Sequence, residues 1–270
     1  MKYLYANGCS FVYGDELSNP NDSEWLEKKR WSRIFSDKYG VEEINESKNG
    51  SSNNRIYRTT KEWILNNESK LKDTFVVVGW SQAIRTERFN DMVGMYEAIN
   101  FGINPDNMSA SENNGMDATG QSEPGKDHGP FFGRSPSRSF WRQYEKYYFN
   151  ELYFTEESAL RVFALQELLN KLNVKYYFYF SMETMVLHYL QQPQFKKIYD
   201  FKKIHNKSQE EWIMDEVEKE TGGTIEWDNK LNTFKNPKGG WSGFNGSHPD
   251  EKSHEKWADF LYKNYRRLYK

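Results

Sequence analysis

The stretch Asn7-Gly8-Cys9-Ser10-Phe11-Val12-Tyr13-Gly14-Asp15 follows the short run Lys2-Tyr3-Leu4-Tyr5-Ala6 near the start of the chain. The run places aromatic and aliphatic residues side by side and predicts a first β-strand. A strand followed by Gly and Ser presents the serine hydroxyl at the carboxyl end of a sheet. In open α/β sheets, sites form in the crevice at that edge. Ser10 is therefore the candidate nucleophile.

Strand and helix signals alternate along the rest of the chain. Phe75–Val78 is a continuous apolar run, typical of a parallel strand covered on both faces, and it ends at Gly79-Trp80-Ser81. Lys175–Ser181 is rich in aromatic residues that favour strands, whereas Val41–Asn45 is a weaker strand prediction because it holds two glutamates. Helices are predicted over residues 22–39, 56–65, part of 82–100, 155–173, 208–220 and 249–270. The alternation predicts an α/β fold whose parallel sheet carries helices on both faces.

One domain is predicted over residues 1–270, with a loop-rich insertion at about 102–139. The insertion is rich in Asn, Ser, Gly and Pro and poor in aliphatic residues. A segment of this length without secondary structure is typical either of a lid or of a disordered insertion, and both interpretations stay open.

Composition excludes several classes of protein. The net charge is −2, from 37 basic and 39 acidic residues, which argues against a dedicated nucleic-acid binder. Cys9 is the single cysteine, so no internal disulfide can form. No leader is evident, and no apolar run approaches the ~18 residues of a membrane span, so we expect a cytoplasmic protein. The Asn- and Lys-rich composition fits a low-GC microbe or a phage, and association with a virion stays open, as does the oligomeric state.

A serine nucleophile needs a base within hydrogen-bond reach and donors for the developing oxyanion. The chain has five histidines: His128, His188, His205, His248 and His254. His248 lies in a Gly- and Pro-containing loop, Phe244–Asp250, directly before the predicted last helix, and such loops commonly carry catalytic side chains. His254 follows six residues later and is interpreted as structural. The two lack the i, i+4 spacing of a helical zinc pair, so no metal site is predicted.

In order and spacing, several short blocks resemble those of the SGNH/GDSL hydrolases, a family of esterases and acetylesterases. The blocks are Gly8-Cys9-Ser10-Phe11, then Gly50, then the strand ending in Gly79, then Asn245-Gly-Ser-His248-Pro249. In the family they read Gly-Asp-Ser, a Gly after the second strand, Gly-x-Asn-Asp after the third strand, and Asp-x-x-His before the last helix. The resemblance implies a three-layer α/β/α, flavodoxin-like sheet.

Carried over residue by residue, the resemblance implies a role for each matching position. Ser10 would be the nucleophile and one oxyanion donor through its N–H, Gly50 the second donor, and His248 the general base. Gly50 has no Cβ, so its N–H can approach a substrate oxygen closely. No cofactor is implied, and the substrate would be a small molecule or glycan bearing an acyl ester, such as a sugar O-acetyl group.

Three positions depart from the family pattern. Cys9 replaces the Asp of Gly-Asp-Ser, beside the nucleophile and outside the proton relay. The third-block Asn has no match, since Trp80 and Ser81 follow Gly79, and Ser81 or the next residue, Gln82, would have to serve at the oxyanion or substrate position.

The third departure is Asn245, which stands where the family has its triad carboxylate. In a serine protease an amide there costs ~10⁴-fold in rate. Three candidates could supply the carboxylate instead: Asp250, Asp228 and Glu226. Otherwise a Ser10–His248 dyad is expected, with a backbone carbonyl orienting the ring.

Two alternatives remain beside the hydrolase. A catalytically impaired SGNH-like protein could bind a glycan or serve as an assembly component, consistent with Asn245 and the missing third-block Asn. Cys9 is a weaker candidate nucleophile, expected to point into the sheet. Trp80 is expected to line a cleft or to be buried, and Arg85, Glu87 and Arg88 to form a solvated charged face.

Overall fold

The computed structural model describes residues 1–17, 22, 24–90, 95–100, 144, 147–182, 184–231 and 233–270. The strands are β1 Tyr3–Gly8, β2 Glu42–Asn45, β3 Thr74–Trp80, β4 Arg85–Asn90, β5 Met95–Asn100, β6 Lys175–Phe180, β7 Ile204–Ser208, β8 Glu226–Asp228, β9 Thr233–Lys235, β10 Phe244–Asn245 and β11 His248–Pro249. The α-helices are α1 Ser10–Tyr13, α2 Trp25–Lys29, α3 Trp31–Tyr39, α4 Asn53–Asn66, α5 Glu68–Leu71, α6 Glu151–Lys171, α7 Met185–Leu190, α8 Gln209–Thr221 and α9 Glu251–Tyr269. The predicted insertion at 102–139 lies outside the described residues.

A five-stranded sheet organises the molecule, in the order β2-β1-β3-β6-β7. All four strand pairs are parallel. This is the doubly wound order of flavodoxin-like folds, with the first strand between the second and third. The predicted fold class is therefore confirmed.

Helices cover both faces of the sheet, giving three layers. On one face the side chains of Tyr5, Val76, Val78 and Phe178 pack with residues of α4, α6 and α7. On the other face Val77 and its neighbours pack with residues of α3 and α9. Because successive strand residues point to opposite faces, a strand covered on both sides is apolar throughout. That is why the continuous runs in β3 and β6 were readable as strands.

Helix ends follow the signals in the sequence. Ser208 and Glu211 form the expected capping box at the start of α8, and Gly222 ends that helix in the left-handed conformation, with φ 67°. The last helix begins at Glu251, because the Asp250 side chain accepts from the Ser253 N–H and caps it. The first predicted helix is divided into α2 and α3 by Arg30, whose backbone is extended.

The helix predicted within residues 82–100 is wrong. The chain forms an antiparallel hairpin there, β4 with β5. Nor do the charges of this segment form a solvated face throughout. Only 5% of the Glu87 side chain is exposed, and Arg58 from α4 binds it at 2.9 Å. Glu87 therefore faces inward. The strand β7 was also missed, because its residues are mostly polar at the edge of the sheet.

Glu43 explains how a short strand with two glutamates forms. Its side chain is 1% exposed and lies 2.9 Å from both Arg30 Nε and Arg33 Nη2. Ser32 Oγ and Asn45 Nδ2 donate to the same carboxylate. Burial raises the pKa of Glu43, but the hydrogen bonds of Arg30 and Ser32 and the charges of Arg30 and Arg33 together outweigh it, so the pKa lies below its ordinary 4.5.

We expect Glu43→Gln to lower the free energy of unfolding at neutral pH by ~2–3 kcal/mol, because the two arginines lose their shared anion. A carboxylate whose pKa is lowered by folding stabilises the protein above its unfolded pKa. That stabilisation is lost as pH falls through the folded pKa. The difference between wild type and variant should therefore shrink in acid. Urea unfolding across pH measures it, with the exposed neighbour Glu42→Gln as control. Equal effects of the two variants would contradict the assignment.

Within the described part of the chain, none of the helices has both the length and the apolar character needed to cross a bilayer.

Candidate active site

The turn that carries Ser10 begins directly at the end of β1. Gly14, with φ 90°, ends α1 after one turn. The N–H groups of Gly14 and Asp15 both donate to the Ser10 carbonyl, at 2.9 and 3.0 Å. The turn therefore holds Asp15 and Glu16 close to Ser10. The Ser10 side chain itself is nearly covered, with 2% exposed.

His248 lies next to this turn. Its loop is a tight antiparallel reversal in which Asn245 pairs with His248 and Gly246 takes φ 63°. The His248 ring packs against Phe11, the residue after Ser10, with 5.4 Å between ring centroids. The structure thus brings the predicted nucleophile and base to one edge of the sheet. Among the described residues, however, Ser10 Oγ and the imidazole are not joined by a hydrogen bond.

Glu16 makes the contacts that the sequence had suggested for other residues. Its Oε2 atom accepts from the N–H of Ser247 at 2.9 Å and from the N–H of His248 at 3.1 Å. The same oxygen lies 3.2 Å from His248 Nδ1. Ser247 Oγ is the other group near Nδ1, at 3.1 Å. Glu16 takes φ 64°, which is uncommon for a residue with a side chain.

Asn245 binds the Glu16 backbone and not the imidazole. Its Nδ2 donates to the Glu16 carbonyl oxygen at 2.6 Å. The position where the SGNH family has its carboxylate therefore fixes the main chain of the residue whose carboxylate faces His248. The relation between Asn245 and Glu16 spans 229 positions in the chain, so no local pattern could have revealed it.

The three carboxylates suggested as substitutes do not contact His248. Asp250 caps α9 and accepts from Trp241 Nε1 at 2.8 Å. Asp228 pairs with Lys235 at 2.7 Å. Glu226 lies exposed on β8. None of the three is therefore placed to orient the imidazole, because Asp250 and Asp228 bind other groups and Glu226 is exposed.

The loop that carries Gly50 reaches the same place through Asp15. Asn49 Nδ2 donates to Asp15 Oδ2 at 2.6 Å, and that oxygen lies 3.9 Å from His248 Nε2. Gly50 takes φ 70°, the left-handed conformation. Within the described part of the chain, the N–H groups of Ser10 and Gly50 make no hydrogen bond.

The third block lies against the core. Gly79 pairs with Gly8 in register, and a Cβ on Gly79 would meet Val12 and Tyr179. Trp80 is fully buried and packs edge-on against Phe178, so it does not line a cleft.

Ser81 follows at the end of β3 and is clamped by Asn53, a residue that sequence reasoning missed. The Asn53 side chain accepts from the Ser81 N–H at 2.8 Å and donates to its carbonyl at 3.0 Å. Ser81 Oγ accepts from Arg85 at 3.3 Å. Asn53 thereby ties the start of α4 to the end of β3.

A cavity of about 240 Å³ opens beyond Ser81, beside the carboxyl ends of β3 and β6. Gln82, one of the two residues suggested to replace the family's third-block Asn, lines it. Glu151 and His188 are the ionisable residues of its lining. The cavity is at the sheet edge where ligands bind in open α/β folds.

Two other candidates, His254 and Cys9, are buried, and His205 is partly buried. His254 is completely covered, its Nδ1 accepts from the Trp31 N–H at 3.1 Å, and burial lowers its pKa to about 3. Burial likewise lowers the pKa of His205 to about 4. Cys9 is completely covered. In the described ranges, His, Cys, Asp and Glu side chains do not gather in groups of three or more that could hold a metal ion.

Comparisons with known proteins give structural likeness only. No family model and no curated protein matches the chain. The esterase EstA from Pseudoalteromonas sp. is 10% identical, with 99% of this chain and 98% of that one covered and a TM-score of 0.42. TesA is 9% identical, with 99% of each chain covered and a TM-score of 0.40. An acetyl xylan esterase, Est2A, from the rumen bacterium Butyrivibrio proteoclasticus is 11% identical, with 98% of this chain and 64% of that one covered and a TM-score of 0.45. Such distant likeness gives no residue-by-residue correspondence, so the chemistry rests on the contacts of the site.

The packing of Gly246 against Glu16 predicts the effect of a single methyl group. A Cβ on Gly246 would run into the Glu16 carboxylate. Gly240 has a similar backbone, with φ 85°, but a Cβ there meets nothing within 4 Å. Both Ala variants should cost ~1–2 kcal/mol for the left-handed backbone, and Gly246→Ala should cost more. A double-mutant cycle compares wild type, Gly246→Ala, Glu16→Ala and the double variant by urea unfolding. The extra cost of Gly246→Ala over Gly240→Ala should vanish when Glu16 is already Ala, because the carboxylate is then gone. Equal costs for the two glycines would contradict the contact.

Proposed function

We propose that the protein is a serine-dependent hydrolase of the SGNH type that acts on a small acyl ester. The observation that carries the proposal is the convergence of three loops distant in sequence. The turn of Ser10, the loop of Gly50 and the loop of His248 meet through the carboxylates of Asp15 and Glu16.

In the proposed reaction Ser10 Oγ attacks the ester carbonyl carbon while its proton passes to His248 Nε2. The carbonyl oxygen becomes an oxyanion and accepts from the N–H groups of Ser10 and Gly50, each worth ~3 kcal/mol in such sites. Collapse of the tetrahedral intermediate breaks the carbon–oxygen bond to the alcohol, which takes the proton from His248. A water molecule then releases the acyl group by the same steps in reverse order.

The Ser10–His248 contact must tighten for this reaction. Catalytic hydrogen bonds are commonly long or poorly aligned in ligand-free enzymes and shorten when substrate binds. The covered position of Ser10 supports a small acyl group such as acetyl. The leaving group we propose is a carbohydrate hydroxyl, because the half-exposed Trp227 is tied to the loop that carries His248. Trp227 packs on Phe234, and the Phe234 N–H donates to the Gly246 carbonyl of that loop. An aromatic side chain offers an apolar face to a sugar ring.

A second function is supported by the missing Ser10–His248 hydrogen bond. A catalytically silent protein of the same fold would bind a glycan at this edge without turning it over. In that case Ser10→Ala would leave glycan binding unchanged, and the wild type would release no acetate from acetylated sugars.

Ser10→Ala should reduce hydrolysis of p-nitrophenyl acetate by ~10³-fold or more, because the attacking atom is removed. It should also abolish labelling by a serine-directed phosphonate, detected as a mass increase of the intact protein. Ser36→Ala is the matched control, since Ser36 is also 2% exposed, and should keep wild-type rates and labelling. A wild type that is folded yet neither hydrolyses nor labels would rule out the proposed reaction.

Gly50→Ala should lower kcat by ~10²-fold with little change in KM, because a side chain at φ 70° forces the oxyanion donor to move. Gly40→Ala provides the control. Gly40 has φ 65° but ends α3, away from the site, and a Cβ there meets nothing within 4 Å. A Gly50→Ala enzyme as active as the Gly40→Ala enzyme would exclude Gly50 from the oxyanion site.

A further inference from the structure

We propose that Glu16 is the carboxylate that positions His248, replacing the acid that the SGNH pattern places at residue 245. The inference rests on the proposed function and adds a positioning residue to the same site. The juxtaposition that carries it is a single carboxylate that faces His248 Nδ1 and also binds the backbone N–H groups of Ser247 and His248.

The contacts of Glu16 hold the backbone that carries the imidazole and place its carboxylate beside the ring. One oxygen, Oε2, lies 3.2 Å from His248 Nδ1 and accepts from the N–H groups of Ser247 and His248. The other oxygen, Oε1, lies 3.4 Å from Ser247 Oγ, which donates to it. Hydrogen bonds that backbone N–H groups donate to an ionised acceptor are roughly twice as strong as neutral ones. The carboxylate is therefore held on the loop whose ring it faces.

Asn245 is the complement of this arrangement. Its amide donates to the Glu16 carbonyl at 2.6 Å, and a carboxylate at 245 has no proton to donate there. An Asp at 245 would also add a second negative charge beside Glu16, which is unfavourable for both. The Asn at 245 and the acid at 16 are thus two parts of one change. Asn245, which departs from the family pattern, thus binds the residue that supplies the replacement acid.

The backbone around Glu16 is shaped for the contact. Glu16 takes φ 64°, and Gly246, which faces its carboxylate, takes φ 63°. A left-handed residue with a side chain is strained, and such strain clusters at functional sites. Gly246 lacks the Cβ that would displace the Glu16 carboxylate. Both ends of the contact therefore adopt conformations that an ordinary loop avoids.

The chemical consequence concerns the tautomer of His248. A carboxylate at Nδ1 favours the proton on that nitrogen, which leaves the Nε2 lone pair free to take the Ser10 proton. The negative charge also stabilises the imidazolium that forms during the reaction, while Glu16 stays ionised. Asp15 lies on the Nε2 side, but its Oδ2 is 3.9 Å away, too far for a hydrogen bond, and the same oxygen accepts from Asn49 Nδ2 at 2.6 Å. Ser247 Oγ, 3.1 Å from Nδ1, is the group that competes with Glu16 there.

Glu16→Gln separates positioning from structure. Glutamine keeps an oxygen for the two backbone N–H groups, so the loop should stay folded, but it loses the charge. We expect kcat for p-nitrophenyl acetate to fall between ~10²- and ~10⁴-fold with KM little changed. Glu16→Asp should recover part of the loss. Ser247→Ala removes the other group near Nδ1 but keeps the charge, so it should lose less activity than Glu16→Gln. The matched control is Glu24→Gln, whose exposed side chain pairs with Lys28 outside the site, and it should stay within ~3-fold of wild type.

A second readout does not depend on turnover. In protein labelled with ¹⁵N-histidine, two-bond ¹H–¹⁵N spectra report which ring nitrogen of His248 carries the proton. The resonance is assigned by its loss in His248→Asn. Wild type and Glu24→Gln should show the proton on Nδ1, whereas Glu16→Gln should shift it wholly or partly to Nε2.

The two proposals fail in distinguishable ways. A wild type that hydrolyses and labels, together with a Glu16→Gln variant that keeps its kcat and tautomer, overturns the role of Glu16 alone. A loss in Ser247→Ala that matches or exceeds the loss in Glu16→Gln also overturns it. A wild type that neither hydrolyses nor labels overturns the hydrolase, and the tautomer shift then decides whether Glu16 holds the ring.

Discussion

The close approach of Val12 to two glycines is the constraint on which the site depends. Gly8 and Gly79 pair in adjacent parallel strands, and a Cβ on either would collide with the Val12 side chain. Because neither glycine has a Cβ, the Val12 side chain fits against both, and the chain can leave β1 and turn at once into α1. Ser10 consequently lies at the sheet edge, and Asp15 and Glu16 emerge beside it.

Acidic side chains then join the elements that the sheet brings near one another. Asp15 accepts a hydrogen bond from Asn49 in the loop after β2, and Glu16 accepts hydrogen bonds from backbone N–H groups of the loop before α9. In a parallel sheet the carboxyl ends of all strands lie at one edge, so loops from distant parts of the sequence meet there. Polar contacts between short loops suffice to fix them because the strands beneath are rigid and covered on both faces. A hydrolytic site in this protein would thus be held by carboxylates from the first strand's turn.

The sequence predicted the elements whose patterns are local. The apolar run of β3 and the aromatic run of β6 could be read directly, as could the capping box at Ser208, because burial on both faces and helix capping leave local signatures. The polar edge strand β7 has no such signature, since its side chains are only partly buried. Part of residues 82–100 was predicted to be helical, but β4 and β5 pair there. The buried Glu87 owes its place to Arg58, 29 positions away, so no local pattern showed it.

The site was predictable to the extent that its residues occupy ordered blocks, as Ser10, Gly50 and His248 do. Glu16 could not be found in this way. A left-handed backbone is usually signalled by a glycine, and position 16 is a glutamate, so the sequence gives no sign of it. The contact between Glu16 and His248 joins positions 232 apart. The search for a missing acid near Asn245 led instead to Asp250, Asp228 and Glu226, because nearness in sequence was the available guide.

The most direct test of the account is a high-resolution crystal structure of the protein after reaction with a serine-directed phosphonate. The account predicts phosphorus bonded to Ser10 Oγ. It also predicts the phosphoryl oxygen ~3 Å from the N–H groups of Ser10 and Gly50, and Glu16 still against His248 Nδ1. Phosphorus on another residue, or a phosphoryl oxygen pointing away from Gly50 with His248 turned from Ser10, would contradict it.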